Sequence, residues 1–220
     1  MVLLLSQMIA AYPLTSADPY WIGSSSSFGT TEGNDFWVTF MINGMFNPET
    51  SPEITFKLEI AVSVRQETKV FFEIPGQTPI ERTVPANQTY IEDFSDSYAV
   101  TYLYDSEDAS KYKGVHVYTE DKDKLFSCFC YNRNGEASSS SRDVSLVLPT
   151  EFLGKEYYIQ TSPEDVYSSE FAIVATEDNT TLTIIPAFAT ATGKPKDVPF
   201  TVVLEKAGDA YLVSSKQQTG

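Results

Sequence analysis

From Ile54 to Arg65 the side chains alternate without a break. Ile54, Phe56, Leu58, Ile60, Val62 and Val64 take one set of positions, and Thr55, Lys57, Glu59, Ala61, Ser63 and Arg65 take the other. Extended backbone sends successive side chains to opposite faces, so this period of two describes a strand with one buried and one wetter face. A helix would scatter Ile54, Phe56 and Leu58 around its circumference, and is excluded here. Shorter runs of the same kind follow along the chain. Phe36, Val38 and Phe40 alternate with Trp37 and Thr39, residues 70–74 stop at the turn pair Pro75–Gly76, and Val115 and Val117 alternate with His116 and Tyr118. Residues 125–131, 144–148, 157–160, 171–176, 182–185, 200–204 and 211–213 complete the expected strands. Residues 105–113 read as one short helical turn and residues 138–141 as an exposed loop. Short strands separated by turn residues predict an all-β chain of two tandem or side-by-side antiparallel β-sandwich-like repeats, with almost no helix.

The repeat is visible in the sequence. Glu59–Pro75 aligns without gaps with Glu170–Pro186, and Ala86–Ile91 resembles Ala207–Leu212, so the second copy carries a longer loop between these blocks. Lys113–Gly114 has a counterpart in Thr219–Gly220, which suggests a second copy that stops where its next strand would begin. The alignment has one flaw. Phe72 and Ile74 fall opposite Thr183 and Ile185, while Glu73 falls opposite Ile184, so the inward faces of the second strands disagree; a bulge or register change would reconcile them. The expected organisation is residues 1–17 as a signal peptide, 18–32 as a Ser/Gly-rich tether, 33–112 as the first β repeat and 113–220 as a second β unit truncated at its C-terminal end.

The signal reading rests on a short apolar run, Val2–Leu5 and Met8–Tyr12, followed by the small residues Thr15–Ser16–Ala17. The run is too short to span a bilayer and lacks a basic residue near Met1, and the alternative is a buried first strand. No later segment is long and apolar enough to cross a membrane. With a net charge of −15 and no cluster of Lys and Arg, the chain is unsuited to nucleic acid or to an anionic membrane surface. A hydrophobic content of 42% is too high for a disordered chain. These features predict a secreted or cell-surface protein.

Four segments carry a family resemblance. Gly33–Phe40 (GNDFWVTF), Lys113–Val117 (KGVHV), Leu148–Tyr157 (LPTEFLGKEY) and Glu170–Pro186, which opens EFAIVATEDNTT, resemble the IgGFc-binding protein N-terminal domain family, as found in bacterial members. Together they span most of residues 33–220. The resemblance implies a β-rich extracellular module of large secreted or surface proteins and brings no catalytic residues with it. Immunoglobulin Fc binding does not transfer with a fold. In this chain Glu120–Lys124 stands where the family has a tight Asp-Lys-Pro turn, without the proline.

Several residues invite a chemical reading. His116 is the only histidine, and it would approach Cys128 or Cys130 if their strands paired. Histidine–cysteine catalysis requires such a positioned base, while the simpler account is a half-exposed strand residue. Cys128 and Cys130 sit two apart on one strand, about 7 Å, too far for an unstrained disulfide, and read as buried thiols. Glu177, Asp178 and Asn179, with Thr180, could offer hard oxygens to calcium, and Asp105, Glu107 and Asp108 form a second acidic cluster. A hairpin turn is the simpler account of the first and a solvated loop of the second. Apart from calcium, no cofactor is expected. Trp21, Trp37, Tyr102, Tyr104, Tyr157 and Tyr158 could stack sugars or pack in the core. Asn87–Thr89 and Asn179–Thr181 fit the N-glycosylation triplet.

The sequence thus points to a non-catalytic extracellular binding or adhesion module whose partner is an extracellular glycoprotein or glycan. The alternatives are a polysaccharide-acting hydrolase or carbohydrate-binding accessory module, for which the warrant is carboxylates and aromatics alone, and a structural spacer of a longer surface protein.

Overall fold

The computed structural model describes residues 2–5, 31–42, 56–97, 102–103, 112–134, 141–160 and 168–216. In chain order its strands are β1 (Val2–Leu5), β2 (Glu32–Gly33), β3 (Asp35–Met41), β4 (Phe56–Val64), β5 (Thr68–Glu73), β6 (Ile80–Val84), β7 (Gln88–Asp93), β8 (Tyr102–Leu103), β9 (Gly114–Tyr118), β10 (Phe126–Asn134), β11 (Ser141–Val147), β12 (Glu170–Val174), β13 (Thr180–Ile184), β14 (Phe200–Leu204) and β15 (Ala210–Ser214). Short 3-10 turns at Ser95–Ser97 and Thr150–Phe152 are the only helical elements among the described residues. The protein is all-β, and every strand pair is antiparallel except β3 with β8.

The strands stack in four layers. The first sheet runs β11-β10-β4-β7, with β2 at the end of β10, and the second runs β6-β5-β9-β3-β8. Phe36, Val38 and Phe40 of β3 meet Leu58, Ile60, Val62 and Val64 of β4 in the core between these sheets, together with Val70, Phe72, Val115, Val117 and Phe126. The long alternating run of the sequence thus buries the face it was expected to bury. The third layer is β1-β12-β15. Ala172, Val174, Ala210 and Leu212 join that same core from the far side of β3, beside Trp37 and Met41. The opposite face of β12 and β15 carries Ile173, Ala175, Tyr211 and Val213, which pack on Leu182, Ile184 and Leu204 of the β13–β14 hairpin, the fourth layer.

Both faces of β3 and of β15 are therefore covered, and each is buried along nearly its whole length. Thr39 is 1% exposed and donates its hydroxyl to the Lys113 carbonyl at 3.0 Å, so the one polar side chain in the middle of β3 is satisfied. At about 1.5–3 kcal/mol for each large apolar side chain removed from water, β3 alone supplies a substantial part of the driving force.

The layers meet at two glycines. Gly208 has φ +87° and lies in the β14–β15 turn; a Cβ there would strike the Pro75 ring and stand 3.2 Å from Trp37 Cζ3. A Cβ on Gly114 would meet Val174 Cγ2 at 2.5 Å and Gly208 Cα at 3.0 Å. Gly114 N–H donates to the Gly208 carbonyl at 2.8 Å, tying the second and third layers directly.

The strand order differs from the expected division at residues 112 and 113. β9, β10 and β11 follow that point, yet β9 lies between β5 and β3 while β10 lies beside β4, so strands from both sides of it share both sheets of the first sandwich. Residues 170–214, with β1, form the third and fourth layers. Val2–Leu5, expected inside a signal peptide, lie along β12 as an added strand; residues 6–17 fall outside the described residues, as do 18–30 of the expected tether and the Thr219–Gly220 counterpart. Glu32, at the end of that tether, pairs with Ser127 and binds Arg65 at 2.6 Å. Residues 157–160 do not form a strand. The Tyr157 hydroxyl instead bonds the backbone N–H and carbonyl of Gly154, both at 2.8 Å, which folds the segment on itself. β6 and β7 escaped the sequence reading because both are edge strands of mixed polarity, with Glu81 and Arg82 inside β6 and Glu92 and Asp93 at the end of β7. Arg82 bonds Tyr90 at 2.7 Å and Glu92 at 2.8 Å, closing that side of the sandwich.

β4-β5-β6-β7 and β12-β13-β14-β15 have the same nested pairing, outer strand with outer and inner with inner. Glu59 faces Asp93 as Glu170 faces Ser214, and Ser63 faces Thr89 as Val174 faces Ala210. In the hairpins Thr68 faces Val84 as Thr180 faces Leu204. The inward residues Val70, Phe72 and Val84 then correspond to Leu182, Ile184 and Leu204. One extra residue in each of two turns, Ala175–Asn179 against Val64–Glu67 and Glu205–Asp209 against Pro85–Gln88, brings the faces into phase.

The glycine junction generates a prediction. Gly208→Ala should cost about 2–4 kcal/mol in urea unfolding, from backbone strain plus overpacking on Pro75. Gly76→Ala, at φ +84° but with nothing within 4 Å, should cost about 1 kcal/mol. Equal losses in the two variants would show that the interlayer contact contributes nothing.

Candidate functional site

The sequence segments singled out above converge on one region, the outer face of the second sheet where the third layer ends. Registers place Trp37 opposite His116, Asp35 opposite Tyr118, Phe71 opposite Tyr118 and Glu73 opposite His116. The result is a small grid of aromatic and acidic side chains. Trp37 and His116 stack at 4.4 Å with planes 8° apart, His116 and Tyr118 at 4.5 Å and 27°, and Tyr118 and Phe71 at 5.2 Å and 18°. Four rings form one continuous ladder across β3, β9 and β5.

Asp35 organises its rim. His116 Nε2 lies 2.8 Å from Asp35 Oδ2, and Thr150, from the turn after β11, donates its hydroxyl to Asp35 Oδ1 at 2.5 Å. Burial pushes the Asp35 carboxyl up, but the bonds from His116 and Thr150 outweigh it and hold it below its ordinary value. Asn34 accepts the Thr119 N–H at its carbonyl and donates its amide to the Lys122 carbonyl, which shapes the 119–124 turn without a proline. A Cβ on Gly33 would overlap the Pro149 ring. The GNDFW, KGVHV and LPT segments thus interlock through Gly33–Pro149 and Asp35–His116–Thr150, while Gly114 and Trp37 receive Gly208.

This geometry decides what the residues can do. The imidazole has Asp35 on one nitrogen, as in a catalytic triad. Its faces are taken by Trp37 and Tyr118, and the cysteines lie elsewhere. Cys128 and Cys130 sit on β10, in the first sheet, paired with Val62 and Ile60 of β4. Both are free and buried. Burial drives both thiols far up, reinforced by the neighbouring thiol for Cys128 and by Asp143 for Cys130, so neither is a thiolate at neutral pH. The stacked rings also spend faces on one another, and Trp37 is buried. Of the other aromatics, Tyr157 is bonded to Gly154 and Tyr158 is 66% exposed in a separate place. Trp21 and Tyr104 lie outside the described residues, and of Tyr102 only the backbone is described.

The acidic candidates separate in the same way. Both Asp178 oxygens are engaged, by Lys206 Nζ at 2.7 Å and by the Ala207 N–H at 3.0 Å, and the first of these bonds lowers its carboxyl. Asn179 adopts φ +58°, and Thr180 donates to the Glu177 carbonyl at 2.7 Å. Glu177, Asp178 and Asn179 build a turn, but not the expected hairpin: it carries the chain from β12 in the third layer to β13 in the fourth, strands that do not pair, and the cation held there is the Lys206 ammonium. Asp105, Glu107 and Asp108 lie outside the described residues. Among the described residues no cluster of three metal-ligating side chains occurs. Asn87 and Asn179 are both exposed at left-handed turn positions.

Residues 143–220 match the family described as IgGFc binding protein. The LPTEFLGKEY and EFAIVATEDNTT segments lie inside this match, while GNDFWVTF and KGVHV lie outside it. No curated protein and no solved structure matches the chain. Within the matched part, the β13–β14 connection over residues 185–199 is far longer than the β5–β6 turn over 74–79. It exposes Ile185 (66%), Phe188 (58%) and Val198, with Lys196 Nζ 6.0 Å from the Phe188 ring centre. The sequence reading noted a longer loop here but assigned it no role.

One ionisable group missed in the sequence lies under this region. Burial raises the Glu170 carboxyl to about 7, against which the hydrogen bond from Ser214 at 2.9 Å acts only partly. Its counterpart Glu59 instead pairs with Arg133 on the outer face of the first layer. Between pH 4.5 and about 7 an unfolded chain has already released this proton while the folded one keeps it, so stability falls as pH rises through that window. The loss approaches about 3 kcal/mol and is complete above pH 7. Glu170→Gln should flatten this limb of the stability profile in urea unfolding from pH 4.5 to 8. An unchanged slope would mean that Glu170 titrates normally.

Proposed function

We propose that this chain is a non-catalytic binding module of a secreted or cell-surface protein, and that its partner is an extracellular glycoprotein. The family match over residues 143–220 carries this reading. Two structural features support it. The residues with chemical potential are spent on architecture: Asp35, His116 and Thr150 on one another, Cys128 and Cys130 in the core, Asp178 on Lys206. A rigid stacked scaffold also holds a long exposed connection, the arrangement in which loops commonly bind. Export is supported by the family match over residues 143–220. Among the described residues no helix is long and apolar enough to cross a membrane.

We read residues 59–93 and 170–214 as two copies of one β unit, supported by their shared pairing and registers, with Asn87 and Gly208 both at positive φ in the corresponding turn. The first copy is completed by β3, β9 and β10, whereas the second leans on the first.

Immobilised protein tested against immunoglobulin Fc and mucin glycoproteins should show saturable binding to at least one. Phe188→Ser should weaken it about tenfold, the loss of roughly one buried anchor side chain, with thermal unfolding unchanged because Phe188 is exposed. Silence across both ligand classes would remove the binding reading in favour of a spacer.

A further inference from the structure

In the first copy the inner hairpin does not stand alone. β9 pairs with the free edge of β5, Phe71 opposite Tyr118, Phe72 opposite Val117 and Glu73 opposite His116, and its Val115 and Val117 complete the core beside Val70 and Phe72. In the second copy the corresponding strand, β13, pairs with β14, and among the described residues no strand lies on its other side. The core beneath is correspondingly less closed: Leu182 and Ile184 are 4% and 8% exposed, against 0% and 1% for Val70 and Phe72.

The edge of β13 also lacks the features that keep such edges inert. Charge, proline and bulges normally blunt an edge strand. The sequence Thr180-Thr181-Leu182-Thr183-Ile184 has no charge and no proline, and every residue is β-branched except Leu182. The contrast with the first copy is specific. Lys69 and Glu81 form a 2.7 Å ion pair across the β5–β6 hairpin, and Glu73 closes β5. The corresponding positions are Thr181, Thr201 and Ile185, all uncharged and exposed. β5 is occupied and carries charges on its outer face, while β13 is open and carries none.

We propose that the β13 edge is a docking site for one extended peptide segment, bound antiparallel in the register that β9 takes on β5. The proposal rests on the two-copy reading above. The molecule itself shows what such a segment looks like: a small residue followed by branched aliphatic residues alternating with polar or aromatic ones, as in Gly114-Val115-His116-Val117-Tyr118. Backbone hydrogen bonds supply the affinity, and the two inward aliphatic side chains supply the selectivity by closing the core beside Leu182 and Ile184. The glycine matters because β9 begins where it must pass under Val174 and Gly208. The partner is thus a β-strand donor, and its site is separate from the loop around Phe188.

The test uses the full chain and a synthetic peptide spanning Lys113–Glu120, which reproduces β9. Saturable binding by fluorescence anisotropy is expected, together with slowed hydrogen exchange of the β13 amides. A peptide of the same composition with its two valines moved out of alternation should bind at least tenfold more weakly. The double variant Thr181→Lys, Thr183→Lys places charge along the edge at exposed positions and should abolish binding while leaving Phe188-dependent glycoprotein binding intact. Absence of peptide binding, binding that ignores the double variant, or protection appearing elsewhere than β13 would overturn the proposal. A concentration-dependent dimer in sedimentation, lost in the double variant, would overturn it too, by assigning the edge to a second copy of this chain.

Discussion

β3 is the strand on which the rest of the structure depends, because it is buried from both sides. Phe36, Val38 and Phe40 face the β4 core, while Trp37, Thr39 and Met41 face the third layer. A strand covered on both faces cannot alternate between apolar and polar, and β3 does not: its outward set includes Trp37 and Met41, with Thr39 tied to the Lys113 carbonyl. This arrangement requires the third layer to come very close. Gly114 and Gly208 allow that approach, with their backbones bonded at 2.8 Å where any side chain would hold the sheets apart.

Residues of catalytic type are bonded to one another in this scaffold. Asp35 and Thr150 pin the turn after β11 onto β3, and His116 is clamped between two rings and a carboxylate. Each group has found its partner within the scaffold, and a group bonded in that way is costly to redirect toward a substrate. The outer layer exposes apolar side chains of the 185–199 connection, and the strands β13 and β14 carry no charge. The layered build thus separates a consolidated interior, where motif residues lock the sheets together, from a peripheral layer with exposed apolar side chains.

The two quartets of strands show how one pairing scheme serves two roles. In the first, the outer face of β4 and β7 carries charge, with Lys57 bound to Asp93 and Glu59 to Arg133. In the second, the equivalent face is pressed onto β3, and the partners are Ala172, Val174, Ala210 and Leu212. Glu170 accepts a hydrogen bond from Ser214, and burial raises its carboxyl to about 7. In the first sandwich Lys57 and Asp93 form an exposed pair of small individual worth.

Period-two alternation determined that this chain is all-β, and with the turn residues between the runs it located β4, β5, β9, β10 and the four strands of the second quartet, because the pleat makes burial legible one residue at a time. The two quartets share one nested pairing, with one more residue in each of two turns of the second, which only the strand registers expose. Edge strands such as β6 and β7 were not legible, since each buries few side chains and mixes charged with apolar positions. Tertiary structure alone decided that β9 and β10 join different sheets, that His116 meets Asp35 and never the cysteines, that Asp178 holds a lysine, and that Glu170 lies buried. Strand pairing between residues far apart in sequence follows from packing and loop closure over the whole chain, and local side-chain pattern carries no information about which edge a strand will choose.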